Sequence, residues 1–390
     1  MRDLILQLSK SSIYSTKPIN ACKTFGCRNL GLPSAAEYHF PNFRLGYPAL
    51  YCAACGSYPP LFNEREFRPW LAAYLTDHAR RYGYFCPVCY QRDIIRYGRN
   101  PQGTQRLQCR HCKKVWTPKF PHIAPIEAPR RICSVPLIAP FQGNAAGQKL
   151  YFLLSFDAVR GNVIHLTSNF TPFAVGESLR YHWRGGQADR EETDDIIQRI
   201  SLTEMRFLQR SQFDEIQYGS AMQKRHARGN ILRPVIAAHG HFKLLSQQFP
   251  EVKTHVIAHE CFLRGAAIVA WAPLFRQRQG DLWYVEEEIR NPASPAPWQL
   301  QGKTHHGWWQ NSWQRWTQEE NQKMVCRLAG TAEENAFLPD LAASRRFTIW
   351  LENRPAFAQS ALYSAGRVTQ IVASLVQEYN ATLTAAAPGG

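Results

Sequence analysis

Apolar positions along the chain recur with two periods. In NEREFRPWLAAYLTDHARRYG, residues 63–83, Phe67, Trp70, Leu71, Tyr74 and Leu75 fall at helical spacing, with Asn63 placed to cap the start and Gly83 to end it. SALYSAGRVTQIVASLVQEYN puts Val368, Ile371, Val372, Leu375 and Tyr379 on one face of a second helix, and the charged stretch 189–213 is broadly helical. KLYFLLSFDAVRGNVIHLTSNF instead gives two β-rich runs around an Arg-Gly-Asn turn, a hairpin with Asp157 at the end of its first strand. RPVIAAHGHF, 233–242, reads as a buried strand ending at Gly240, and PEVKTHVIAHE as a further strand or turn. Between 118 and 141, Pro118, Pro121, Pro125, Pro129, Pro136 and Pro140 are too many for a helix or a central strand, which predicts a semi-extended linker. The interleaved strands and helices beyond it predict a mixed α/β domain.

Charge adds a partner to this outline. Lys and Arg number 46 against 30 Asp and Glu, a formal charge of +16, so the field of the chain attracts polyanions: nucleic acid first, an anionic membrane surface second. MRDLILQLSKSS has too short an apolar run and the wrong charge for an export signal, and GAAIVAWAPLF, 265–275, is far short of a membrane span. The expectation is a cytoplasmic protein with no membrane partner, in a reducing compartment where clustered cysteines serve metals rather than disulfides.

Of the 11 cysteines, those before residue 113 come in pairs: Cys22 with Cys27, Cys52 with Cys55, Cys86 with Cys89, and Cys109 with Cys112. Zinc takes four thiolate or imidazole ligands in a tetrahedron, and two Cys-x2-Cys turns meeting across a hairpin supply them. The second module leaves room between Cys89 and Cys109 for a strand, a turn at Asn100–Gly103 and a returning strand. The first is looser, through its Cys22-x4-Cys27 turn, and His39 could replace one of its cysteines. Two structural zinc ions are expected. Around the second module lie Arg92, Arg96, Arg99, Arg106, Arg110, Lys113, Lys114 and Lys119 with Asp93 as the one acid between 86 and 120, a density suited to phosphate. Tyr97 and Trp116 are available to pack the ribbon or to stack on a base. In THHGWWQNSWQRW, 304–316, tryptophans interleaved with amides and Arg315 suit stacking on distorted DNA, though core packing explains them slightly better.

Cys86-Pro87-x-Cys89, Gly98 and Gly103-x-Gln105-Arg106-x-x-Cys109-x-x-Cys112-x-Lys114-x-Trp116 resemble the N-terminal zinc ribbon of InsA-type insertion-sequence transposases. The resemblance implies DNA binding in a mobile-element setting, coupled to a downstream domain that cuts and joins strands. Such domains are RNase H-like, with carboxylates at the ends of the first and fourth strands and on a late helix holding two Mg²⁺ ions. FLLSFD then looks like the first strand, with Asp157 at the first carboxylate position, and RPVIAAHG like the fourth, where His239 replaces the acid. Imidazole is a poor Mg²⁺ ligand, so Mn²⁺ is the alternative ion. Glu319, Glu320, Glu333, Glu334 and Glu352 compete for the third position without a ranking. His239, His241, His255 and His259 with Glu260 form a rival cluster for zinc or manganese, against the simpler view that they cap strands and line a vestigial site.

The expected fold class is therefore mixed α+β: two N-terminal zinc ribbons joined by a helix, then an RNase H-like mixed α/β domain. The expected boundaries are 15–60 for the first module, 61–84 for the helix, 85–120 for the InsA-like ribbon, 121–145 for the linker and 146–390 for the transposase-derived domain. The expected function is DNA binding through a zinc ribbon, with self-association as a further expectation and a catalytic domain whose candidate residues are Asp157 and His239, altered at His239. An active transposase using Mg²⁺ or Mn²⁺ is one alternative, and a zinc-ribbon module that binds only proteins is the other.

Overall fold

Every residue of Leu150–Asp157 is buried, which is the pattern of a strand covered on both faces. The computed structural model describes residues 18–40, 49–81, 86, 88–89, 93–103, 105–117, 128–142, 148–173, 175–176, 179–180, 193–213, 229–307, 310–331 and 337–386. The chain divides into two compact units. One comprises Arg65–Glu127 with Met1–Pro18, and the larger one combines Ile19–Glu64 with Ala128–Gly390.

Within the first cysteine module β1 (Tyr38–His39) pairs antiparallel with β2 (Tyr51–Cys52). Helix α1 (Glu64–Arg81) carries the apolar stripe read from the sequence, with Phe67, Trp70, Leu71 and Leu75 all buried. The smaller unit then forms a three-stranded antiparallel sheet from β3 (Ile94–Arg99), β4 (Gln105–Cys109) and β5 (Val115–Trp116). In the larger unit β6 (Arg131–Ala139), β7 (Leu150–Asp157) and β8 (Val163–Ser168) are followed by β9 (Phe170–Thr171), α2 (Ile196–Phe213), β10 (Asn230–Ile231) and α3 (Pro234–Gln248). Next come β11 (Thr254–Ala258), α4 (Cys261–Ala270), α5 (Ala272–Arg276), β12 (Asp281–Glu288), β13 (Gln299–His306), β14 (Asn311–Gln318) and β15 (Asn321–Ala329). Helices α6 (Ala342–Glu352), α7 (Pro355–Ala358) and α8 (Ala365–Ala386) close the chain.

The main sheet has the order β13-β14-β15-β12-β11-β6-β7-β8. β6, β7 and β8 form an antiparallel meander, whereas β11 runs parallel to β6 and β12 parallel to β11. Counted from β6, these five strands lie in the order third, second, first, fourth, fifth. β15, β14 and β13 extend the sheet antiparallel beyond β12. On one face Phe152, Leu154 and Phe156 pack with Phe347 and Leu351 of α6 and with Val368, Val372 and Tyr379 of α8. Burial of each such side chain is worth about 1.5–3 kcal/mol. The other face meets α3, through Ser155 and His241, and α4, where the rings of Tyr151 and Phe262 cross 5.6 Å apart.

Two elements differ from the sequence expectation. The stretch read as a proline linker contains β6, a strand between β11 and β7. Pro136 is tolerated there because β11 flanks β6 only as far as Ser134, so no ladder on that side needs the missing N–H. β6, and not FLLSFD, is thus the first strand of the meander. RPVIAAHGHF is the start of α3 and not a strand: Pro234 occupies the first turn, where a proline costs nothing, and burial from Ile236 to Phe242 hides the helical period.

Candidate metal centres and basic ribbon face

The eight paired cysteines converge in two groups, Cys22, Cys27, Cys52, Cys55 and Cys86, Cys89, Cys109, Cys112, with the sulfurs of each group within 4.8 Å of one another. Cys22 Sγ is 3.6 Å from Cys55 Sγ and Cys27 Sγ is 3.8 Å from Cys52 Sγ. In the second group Cys86 to Cys112 is 3.4 Å and Cys89 to Cys109 is 3.5 Å. A disulfide would need about 2.05 Å, whereas two ligands of a tetrahedral zinc with bonds of about 2.3 Å stand about 3.8 Å apart. The donor set and the spacing therefore fit one closed structural zinc per group. His39 is not among the ligands, since four cysteines complete the first group.

The local chain explains the convergence. After Cys52 the amides of Cys55 and Gly56 both donate to its carbonyl, and Gly56 takes φ +71°, closing the turn. The amides of Thr24, Asn29 and Val88 approach Cys22, Cys27 and Cys86 Sγ at 3.4–3.5 Å, and such outer donors orient and stabilise thiolates. Burial pushes the Cys86 thiol up, but hydrogen bonds from the Cys89 and Val88 amides and from the Cys112 and Cys89 side chains together bring the value down to about 7.

The first module is bonded into the larger unit. Ile19 and Asn20 amides donate to Glu64 Oε1 at 2.9 and 3.0 Å, and Asn20 exchanges two hydrogen bonds with Phe62. The Phe62 ring meets His239 of α3 edge-on at 5.5 Å, and Lys23 Nζ lies 4.9 Å from the same ring. Burial, with the Lys23 charge second, holds His239 well below the usual histidine range, so it is neutral. Burial also lowers Lys23 itself to about 8.

Asp157 is also engaged. Its Oδ1 accepts from the amides of Val159 and Arg160 at 2.9 and 3.1 Å, and Arg160 Nη1 stands 3.6 Å from Oδ2. It ends β7 opposite Ile132, at the edge where β6 and β11 begin. Among the described residues no group of three metal-ligating side chains includes Asp157 or His239. Glu319 and Glu320 form the turn between β14 and β15, Glu352 is exposed at the end of α6, and Glu333 and Glu334 lie outside the described residues.

The four histidines do not gather either. His241 Nε2 pairs with Ser155 Oγ at 2.8 Å and its Nδ1 with Thr167 Oγ1 at 3.0 Å, while Ser155 meets Ser134 Oγ at 2.6 Å. His255 donates to the Val252 carbonyl and its ring lies tilted against that of Trp271, 3.9 Å between centroids. His259 faces Glu204 of α2 at 3.6 Å, between the rings of Tyr284 and Trp313. Glu204 carries no sequence signal, because it is one charge on a charged helix.

On the ribbon Arg96, Arg99, Arg110, Lys113 and Lys114 are exposed, Arg106 is half-buried, and Arg92 lies outside the described residues. The Arg106 guanidinium lies 5.8 Å from the centroid of Tyr97, which is 46% exposed. Asp93 reaches Arg110 only at 3.8 Å with both side chains in solvent, so it neutralises little. Trp313 is fully buried and Trp316 half-buried, whereas Trp308 and Trp309 lie outside the described residues.

Two four-cysteine groups, one of them on a three-stranded basic sheet, have the donor set and spacing of zinc ribbons. Residues 84–113 match the family model of the InsA N-terminal domain, a zinc ribbon. Neither a curated protein nor a solved structure matches the chain. No described helix is long and apolar enough to cross a membrane.

Proposed function

We propose that the protein is a zinc-dependent DNA-binding protein of transposase descent, in which the InsA-like ribbon holds the phosphate backbone and the larger unit is an RNase H-like scaffold with an altered site. The observation that carries the binding role is the ribbon itself: five exposed cations and the Tyr97–Arg106 pair on a small rigid sheet, with one weakly paired acid. Support for the scaffold is the strand order, an antiparallel meander followed by two parallel strands on the other side of the first. With β6 as the first strand and β11 as the fourth, the positions for carboxylates change from those read in the sequence. β6 contains no acid at all, and β11 runs out into His259 and Glu260. Two-metal catalysis requires oxygen ligands shared by both ions. Asp157 and His239 then serve a turn and a packed interface in place of a metal.

DNA binding by the full, zinc-loaded chain should weaken by about 0.9 logarithmic units per tenfold salt for each phosphate neutralised. Charge reversal at Arg96, Arg106 and Lys113 should flatten that slope by up to about three such increments. An unchanged slope in the triple variant would instead favour a ribbon that binds proteins.

A further inference from the structure

The larger unit carries a second basic feature, far in sequence from the ribbon. Because β6, β11 and β12 are parallel, their starting ends share one edge of the sheet, and the β7–β8 turn and the end of β15 return to it. The segments are tied together there: the Ala158 amide donates to the Arg131 carbonyl at 3.0 Å, and that of Asp281 to the Lys253 carbonyl at 2.8 Å. This topology collects Arg130, Arg160, Lys253, Arg276 and Arg278, all exposed, from four separate stretches of chain.

Acids do not balance them. Asp157 is 2% exposed and spent on its own turn, and Asp281 is half-buried against Gly330. Glu251 is the one exposed acid in these segments among the described residues. Arg130, Lys253, Arg276 and Arg278 make no ion pair with any described residue. Arg278 holds a left-handed φ of +56°, an uncommon conformation for a residue with a side chain, in a turn bonded to Phe275. Neighbouring strands are about 4.8 Å apart, so the row from the β7 end to the β12 start covers about 14 Å. One nucleic-acid strand advances about 3.4 Å per nucleotide, and the row matches about four of them. The exposed amides of Gln277 and Gln279 lie in the same row, and Val159 is its exposed large apolar side chain. Cations with amides and little apolar surface suit sugar-phosphate contacts better than insertion into a lipid surface.

We propose that this edge of the sheet is a second nucleic-acid contact, one that grips the sugar-phosphate backbone without reading bases. It stands on the larger unit alone and does not require the ribbon to bind DNA.

The test uses the full zinc-loaded chain and a random-sequence duplex, with anisotropy measured across a salt series. One variant carries Arg130→Glu, Lys253→Glu, Arg276→Glu and Arg278→Glu, and a second carries Gln at the same positions in case charge reversal perturbs folding. Both should retain the zinc content of the parent. Each should show a shallower salt dependence, by about 0.9 logarithmic units for each phosphate no longer neutralised, and this reduction should add to that of the Arg96, Arg106 and Lys113 ribbon variant. A slope unchanged in both edge variants, with the ribbon variant accounting for all of it, overturns the proposal. A slope abolished only in the edge variants sustains it and removes the ribbon's role instead. Binding to phosphatidylserine vesicles that disappears in both edge variants, with the duplex slope unchanged, reassigns the edge to membranes and also overturns it.

Discussion

Gly31 shows how little freedom the first cysteine module has: its φ is +63°, and a Cβ there would lie 2.0 Å from that of Ala272 on α5. Gly31→Ala must strain the turn and push the module away from the helix, at a cost on the order of 2–4 kcal/mol. Urea unfolding of the larger unit should show it, while zinc at the second group stays bound. The buried histidines make a second residue-level prediction. Burial pushes His241 down to about 3 and His255 down to about 4, against 6.5 in an open chain, with the Val252 carbonyl offsetting part of the shift at His255. The unfolded chain therefore binds protons that the folded one refuses. Their contribution is fully present above pH 6.5 and is lost as pH falls toward 4, by about 1.4 kcal/mol per pH unit for each histidine. His241→Gln should remove one proton's worth of that acid sensitivity, measured as the slope of unfolding free energy between pH 6.5 and about 5.

At the scale of elements, the sequence discloses some strands and conceals others for physical reasons. The β7–β8 hairpin is legible because β-rich runs flank Gly161, whose φ of +85° a turn demands. The stripe of α8 is legible because its other face is wet: Val368, Val372 and Tyr379 are buried while Arg367, Gln370 and Glu378 are not. The cysteine groups are legible because ligand spacing is a local property. β6 is hidden by the prolines around it, and the one inside it, Pro136, is harmless only because the neighbouring strand stops short of it. α3 is hidden by burial on all sides, which erases periodicity. With these two elements concealed, the sequence reads FLLSFD as a first strand although it is the second of the meander, and reads His239 at a strand end although it lies in α3. No strand cleavage is expected of the native protein with Mg²⁺ or Mn²⁺ on DNA bearing candidate element ends, and Asp157→Ala should leave that background unchanged. Robust native cleavage that vanishes in Asp157→Ala would restore an active transposase centred on that carboxylate.

For the whole molecule, the two metal sites should behave differently because they belong to different units. Cys86→Ser with Cys109→Ser should lose one of two zinc equivalents and leave the unfolding midpoint of the larger unit in place. Cys22→Ser with Cys52→Ser should lose the other and lower that midpoint, since structural zinc binding contributes folding free energy directly. Equal effects on the midpoint would refute the distinction. The same division has a consequence for biosynthesis. The first module's partners include His239 and Ala272, so its docking surface is made only after residues 65–127 have been translated as an insertion. At about 5–20 residues per second, Cys22–Cys55 leaves the ribosome on the order of 10–40 s before α5 does. During that interval its four thiols are exposed to any metal or oxidant in the cell, and early zinc capture would protect them until the sheet arrives.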